Sequence, residues 1–154
     1  PLMHTIAAKA VTFRLAMQPE FKAYARQVCA NAKALGQQLQ TEGCRLVTGG
    51  TDNHLLLVDL TPMGVSGAQA EEGLEKAGIT VNKNKIPFDR RPAMETSGFR
   101  IGTPALTTRG MKEDEMKRIG AWIGRALRAL DDTAALARVR GEVKELCAQF
   151  PLFR

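Results

Sequence analysis

The sequence predicts an α+β fold: a small, largely antiparallel sheet of about four short strands with helices packed against it, preceded by a long N-terminal helical segment. Three observations carry that expectation. Apolar residues recur at helical spacing over both ends of the chain, and short apolar runs of strand length lie between them. Strands and helices do not alternate in the regular order that builds parallel βαβ units.

Leu2, Ile6, Ala10, Phe13 and Met17 follow at three- and four-residue steps and predict a first helix. Pro19 ends it, because proline has no N–H and its ring clashes with the preceding turn, yet it suits the first turn of a second helix. That helix carries Phe21, Val28, Ala32, Leu35 and Leu39 on one face and stops at Gly43, which enters the left-handed region without a Cβ penalty. "CRLVT" at 44–48, followed by Gly49 and Gly50, and "HLLLVDL" at 54–60 predict two adjacent strands around a glycine turn.

Ser66 opens a capping box with Gln69, in which each side chain takes the other residue's backbone N–H, and Gly78 closes the short helix that follows. "ITV" at 79–81 and "FRIG" at 99–102 predict two further strands. Met116, Ile119, Ile123, Leu127 and Leu130 predict a helix over 112–130. A last helix follows Asp131 and Asp132, with Leu136, Val139, Val143, Leu146 and Phe150 facing inward. The tally is about five helices and four strands. No internal repeat or low-complexity linker divides the chain, so one domain is expected: helices over 1–42, an α+β core over 43–130 and a C-terminal helix over 131–154.

Composition bounds the function. At 154 residues and 44% hydrophobic, the chain can bury about two thirds of its unfolded surface as a single domain. Lys and Arg exceed Asp and Glu by 22 to 16, and the net charge of +6 admits anionic ligands without specifying one. One Tyr, one Trp and no aromatic ladder among the basic residues argue against nucleic acid. No apolar run approaches the roughly 18 residues of a membrane span, and no secretory leader pattern opens the chain. Cys29, Cys44 and Cys147 make an odd count with no CxxC pair, so neither a disulfide framework nor a zinc site is predicted and a reduced, cytoplasmic setting is expected.

His4 and His54 lack metal-ligand spacing with any Cys, Asp or Glu, and the cysteines read as small buried hydrophobes. "KEDEMK" at 112–117 reads as the solvated start of a helix, with Glu113 and Asp114 complementing its dipole. The stretch "VNKNKIPFDRRPAMETSGFRIGTPALTTRG" at 81–110 differs. Pro87, Pro92 and Gly98 fix a long irregular loop between two strands, and such loops inside compact domains are usually functional or disordered. Arg100 stands between glycines in a strand-like setting suited to bidentate capture of a carboxylate or phosphate; a structural salt bridge or a solvated edge position are the alternatives.

Four segments also carry a family likeness. "PLMHTIAAKAV" at the start, "GGTDNHLLLVDL" at 49–60, "ITVNKNKIPFD" at 79–89 and "SGFRIGTPALTTRG" at 97–110 resemble, in order and spacing, the C-terminal portion of bacterial serine hydroxymethyltransferase. The likeness spans essentially the whole chain. Phe99 stands where the family usually has Ile or Leu, and Lys85 occupies a variable position.

The resemblance implies a pyridoxal phosphate enzyme of fold type I that interconverts serine plus tetrahydrofolate with glycine plus 5,10-methylenetetrahydrofolate. This chain would be its small domain with the connecting helices; the large domain would be its partner, and the assembly a homodimer. The N-terminal apolar face would be covered by the large domain or the other subunit. By resemblance, Arg100 binds the carboxylate of serine or glycine, and Asn84, with Lys83 beside it, contacts folate. The Schiff-base lysine of the family lies in a Thr-His-Lys segment that these residues do not contain, so no catalytic residue is assigned here. This chain by itself is expected to be inactive and to hold no cofactor. An α-methylserine hydroxymethyltransferase would carry the same features. A non-catalytic anion-binding module would suit the charge, and a structural or oligomerisation domain would leave Arg100 and the Asn-Lys-Asn loop without a role.

Overall fold

Four short strands make one antiparallel sheet, with the helices on one of its faces. In chain order the computed structural model, which describes residues 1–152, has α1 (Met3–Ala16), α2 (Pro19–Thr41), β1 (Arg45–Leu46), β2 (Leu55–Asp59), a 3-10 turn at Thr61–Met63 and α3 (Gly67–Lys76). There follow β3 (Asn82–Asn84), β4 (Gly98–Gly102), α4 (Pro104–Thr108), α5 (Glu113–Leu127) and α6 (Thr133–Gln149). The sheet order is β1-β2-β4-β3, so the predicted α+β class and its small antiparallel sheet are observed.

Local chemistry sets most of the boundaries. Pro19 is the first residue of α2, where a missing N–H costs nothing. Ser66 Oγ accepts the Gln69 N–H at 3.1 Å while Gln69 Oε1 accepts the Ser66 N–H at 2.9 Å, which is the predicted capping box. Asp132 caps α6 by accepting the Ala135 N–H at 2.9 Å. Gly78, at φ 80°, turns the chain out of α3, and the Ile79 N–H returns to the Leu74 carbonyl at 2.8 Å.

The buried face of the sheet presents Leu46, Leu56, Val58 and Phe99 to Leu35, Leu39, Leu74, Met116 and Ile123 from α2, α3 and α5. Gly36 lets α2 lie close to the sheet, since a Cβ there would sit 3.0 Å from Leu46 Cδ1 and 3.1 Å from Leu56 Cδ2. At the opposite edge of the sheet, Arg45 is paired with Asp59 across β1 and β2; its Nε donates to Asp59 Oδ2 at 2.7 Å.

Four departures from these expectations are observed. The strand predicted at 79–81 begins instead at Asn82: Ile79 and Val81 are apolar because they enter the core on the way into the ladder. The strand predicted at 44–48 shrinks to two residues, because the Gly49 N–H bonds back to the Leu46 carbonyl at 3.0 Å and the connection to β2 opens into a wider loop. The short helix α4 was not predicted. The C-terminal helix expected over 131–154 is observed at Thr133–Gln149, and residues 153 and 154 lie outside the described residues.

α1 buries none of its residues. Leu2, Ile6, Phe13 and Met17 are exposed on the predicted face, and Val11 and Leu15 form a second exposed apolar stripe beyond it. An apolar surface on two sides of a helix is the pattern of one enclosed by other structure.

Candidate functional site

Arg100 lies at the centre of β4, with Leu57 of β2 as its register partner on one side and Asn82 of β3 on the other. Directly paired residues in an antiparallel ladder share a face, and neighbours along a strand alternate. Arg100 therefore stands with Leu55, Leu57, Asn82, Asn84, Gly98 and Gly102, and with the mutually paired Asp59 and Arg45 towards the β1 edge, on the face turned away from the helices, while the next residue back, Phe99, is fully buried on the other. Its guanidinium is exposed and has no hydrogen bond or ion pair among the described residues. Several other arginines are committed, although Arg14, Arg26, Arg90, Arg91 and Arg138 share with Arg100 the lack of a side-chain partner among the described residues. Arg45, Arg125 and Arg128 are ion-paired, and Arg109 donates to the Cys147 and Phe150 carbonyls at 2.9 and 2.7 Å.

The glycines beside Arg100 serve the backbone around it. A Cβ at Gly98 would run into the Val58 carbonyl oxygen and lie 2.9 Å from Ile86 Cγ2; one at Gly102 would lie 2.9 Å from the His54 carbonyl oxygen. Ile86 thus folds the 85–97 loop over the Gly98 end of the open face. Asp89 fastens that loop: Oδ1 accepts the Ser97 hydroxyl at 2.6 Å and the Arg91 N–H at 3.0 Å, and Oδ2 accepts the Ser97 N–H at 2.9 Å and the Ile86 N–H at 3.3 Å. Desolvation pushes the Asp89 carboxyl up, but these hydrogen bonds outweigh it and hold the pKa down at about 2. The loop carries Phe88 fully exposed at φ 59° and Met94 exposed beyond it.

The structure brings Asn84 and Arg100 to one face and sends Lys83 to the other. Asn84 is half-buried, pairs with Gly98 in the ladder and donates from Nδ2 to the Lys85 carbonyl at 2.7 Å. Lys83 pairs with Phe99 on the helix side, where its ammonium sits 3.4 Å from Glu71 of α3 and its N–H donates to the same carboxylate at 3.0 Å. Asn82, which sequence reading missed, is the register partner of Arg100; period-two alternation back from Asn84 would have placed it on that face.

The rest of the "SGFRIGTPALTTRG" segment docks the site onto α2. Thr103 is buried and donates to the Val28 carbonyl at 2.8 Å. Asn31, also buried, donates to Thr107 Oγ1 and to the Met111 carbonyl, both at 2.9 Å. Tyr24 Oη lies 3.2 Å from the Pro104 carbonyl and from Thr108 Oγ1. The segment therefore combines one exposed cation with a buried hydrogen-bonded anchor.

Other candidates carry less. A cleft of about 730 Å³ lies between α2 and the β1–β2 connection, lined by Gly36, Gln37, Gln40, Thr48 and Asn53, and Arg100 is not part of it. Cys44 is buried, and burial, with Glu42 adding to it, pushes its thiol up to about 11, so it is inert; Cys29 and Cys147 are half-buried rather than fully enclosed. Among the described residues no three His, Cys, Asp or Glu side chains are grouped to hold a metal, and no helix is long and apolar enough to cross a membrane. The strands place no lysine on the face of Arg100. An exposed guanidinium with no strand lysine beside it can hold an anionic group but offers no amine on this face for a covalent bond to a carbonyl.

A sequence model of a family described as serine hydroxymethyltransferase matches residues 1–123. A serine hydroxymethyltransferase of Myxococcus xanthus is 63% identical over 153 residues, covering 99% of this chain and 37% of the relative. One of Koribacter versatilis is 58% identical over 153 residues, covering 99% of this chain and 36% of the relative. The chain thus spans a little over a third of the length of these curated relatives.

Proposed function

The chain belongs to the serine hydroxymethyltransferase family, and from that premise we propose that it supplies the amino-acid carboxylate clamp and part of the folate site of an enzyme interconverting serine plus tetrahydrofolate with glycine plus 5,10-methylenetetrahydrofolate. The observation that carries this reading is the uncommitted Arg100 guanidinium at the centre of the open sheet face. Arginine presents two parallel N–H groups that match a carboxylate, and a strand flanked by paired strands holds them in a fixed direction. Its role is positioning: the substrate is fixed so that the reacting bond keeps one orientation. Pyridoxal phosphate, when bound to the enzyme, supplies the electron sink. No residue of this chain is assigned a step upon it.

Asn84 is the folate contact of this proposal, held at the strand end by its bond to the Lys85 carbonyl. Lys83 is the weaker one, because its ammonium would have to leave Glu71 and the helix side of the sheet. The exposed apolar stripes of α1 fit enclosure by the rest of such an enzyme and by a second copy in a homodimer. Three free cysteines suit a reducing, cytoplasmic setting.

The test is a graft. With this chain in place of the matching segment of the Myxococcus xanthus enzyme, serine-dependent formation of methylenetetrahydrofolate should persist. A folded graft that holds pyridoxal phosphate yet neither binds nor turns over serine would refute the assignment.

A further inference from the structure

We propose that Asn82 is a positioning residue for the substrate carboxylate, acting through Arg100; this rests on the reading of Arg100 given above. Four residues neighbour Arg100 on its own face: Leu57 and Asn82 across the ladder, and Gly98 and Gly102 two places away along β4. Leu57 is apolar and the glycines have no side chain, so Asn82 is the one direct neighbour with a polar group; of the polar residues on the diagonals, Asn84 is bonded to the Lys85 carbonyl and Asp59 to Arg45. Cross-strand partners have Cβ atoms about 4.5–5.5 Å apart, within reach of an amide and a long arginine. Asn82 is exposed, and its amide has no hydrogen bond to another described residue.

The residue type fits the task. An amide oxygen accepts one guanidinium N–H and leaves the remaining fork for a carboxylate. Being neutral, it does so without cancelling the charge that attracts the substrate. An aspartate at this position would instead form a cross-strand ion pair with Arg100 and compete with serine.

The experiment measures serine affinity and steady-state kinetics in the grafted holoenzyme for Asn82→Leu, Asn82→Asp, Arg100→Lys and the double variant Asn82→Leu/Arg100→Lys. Asn82→Leu should weaken serine about tenfold, the loss typical of one hydrogen bond to a charged group. KM should rise while kcat at saturating serine and tetrahydrofolate affinity stay near the parent values. Asn82→Asp should weaken serine further. The double variant should bind serine no worse than Arg100→Lys alone, since a residue acting through Arg100 has nothing left to orient. Unchanged serine affinity in Asn82→Leu, additive losses in the double variant, or an equal fall in folate affinity that marks general damage to β3 would each overturn the inference. Unchanged serine affinity in Arg100→Lys would instead overturn the clamp beneath it.

Discussion

The carboxylate of Asp89 accepts both the hydroxyl of Ser97, at 2.6 Å, and its N–H, at 2.9 Å, and so ties the middle of the 85–97 loop to the residue that precedes β4. The same carboxylate takes the N–H groups of Ile86 and Arg91, making it the knot of the loop. Asp89→Ala should leave these donors without their partner and cost about 1–3 kcal/mol. Its midpoint in denaturant should fall, and serine affinity of the grafted enzyme with it. An unchanged midpoint would mean that the loop is held by other contacts.

The same knot sets a pH dependence. A carboxyl whose folded pKa is depressed contributes stability that is fully present above its unfolded value and is lost as pH falls through the folded one. For Asp89 that window runs from its ordinary 3.8 down to about 2. The parent chain should therefore lose stability between those values, and the Asp89→Asn chain should lose less over the same interval. Parallel acid-denaturation curves for the two would remove Asp89 from the account.

Gly98→Ala should destabilise the chain, because the added methyl meets the Val58 carbonyl oxygen and Ile86 Cγ2 from two sides. Overpacking of this kind costs about 1–3 kcal/mol. Thermal unfolding of the variant at or above the parent temperature would contradict the packing of Ile86 over β4.

Association should proceed through α1, whose Leu2, Ile6, Phe13 and Met17 remain exposed in the single chain. Sedimentation of the isolated chain should reveal a dimer or larger species, and Phe13→Glu with Met17→Glu should shift it to monomer. A parent chain that stays monomeric at high concentration with α1 helical would count against this role. The isolated chain should also fail to turn over serine, and borohydride treatment with pyridoxal phosphate should label no single lysine stoichiometrically; one uniquely labelled lysine with turnover would contradict the placement of the cofactor seat outside these residues.

Much of this fold is readable without coordinates because its signals are local. The Ser66–Gln69 capping box, Pro19 at the start of α2 and Gly78 at the exit from α3 each depend on residues within one turn, and each is found where its chemistry predicts. The strands are less legible because a ladder belongs to two segments at once. Ile79 and Val81 have the apolar character of a strand, yet β4 pairs with Asn82–Asn84, and only the register decides this. That shift separates Lys83 from Asn84 and brings Asn82 to Arg100. The short helix α4 is hidden for a similar reason: Thr103 and Thr107 look like loop residues until Val28 and Asn31 of α2 are seen to meet them.

The central claim is that Arg100 is held free on the open sheet face to take an amino-acid carboxylate, and serine binding to the Arg100→Lys variant of the grafted holoenzyme tests it most directly. Lysine keeps the charge but cannot make two parallel N–H···O bonds, so a desolvated clamp should lose about 2–5 kcal/mol. That is roughly thirtyfold or more in affinity. Folding stability should be nearly unchanged, because Arg100 has no partner among the described residues. Serine affinity thirtyfold or more weaker, at an unaltered unfolding midpoint, is the predicted result; serine affinity equal to that of the parent would contradict the account.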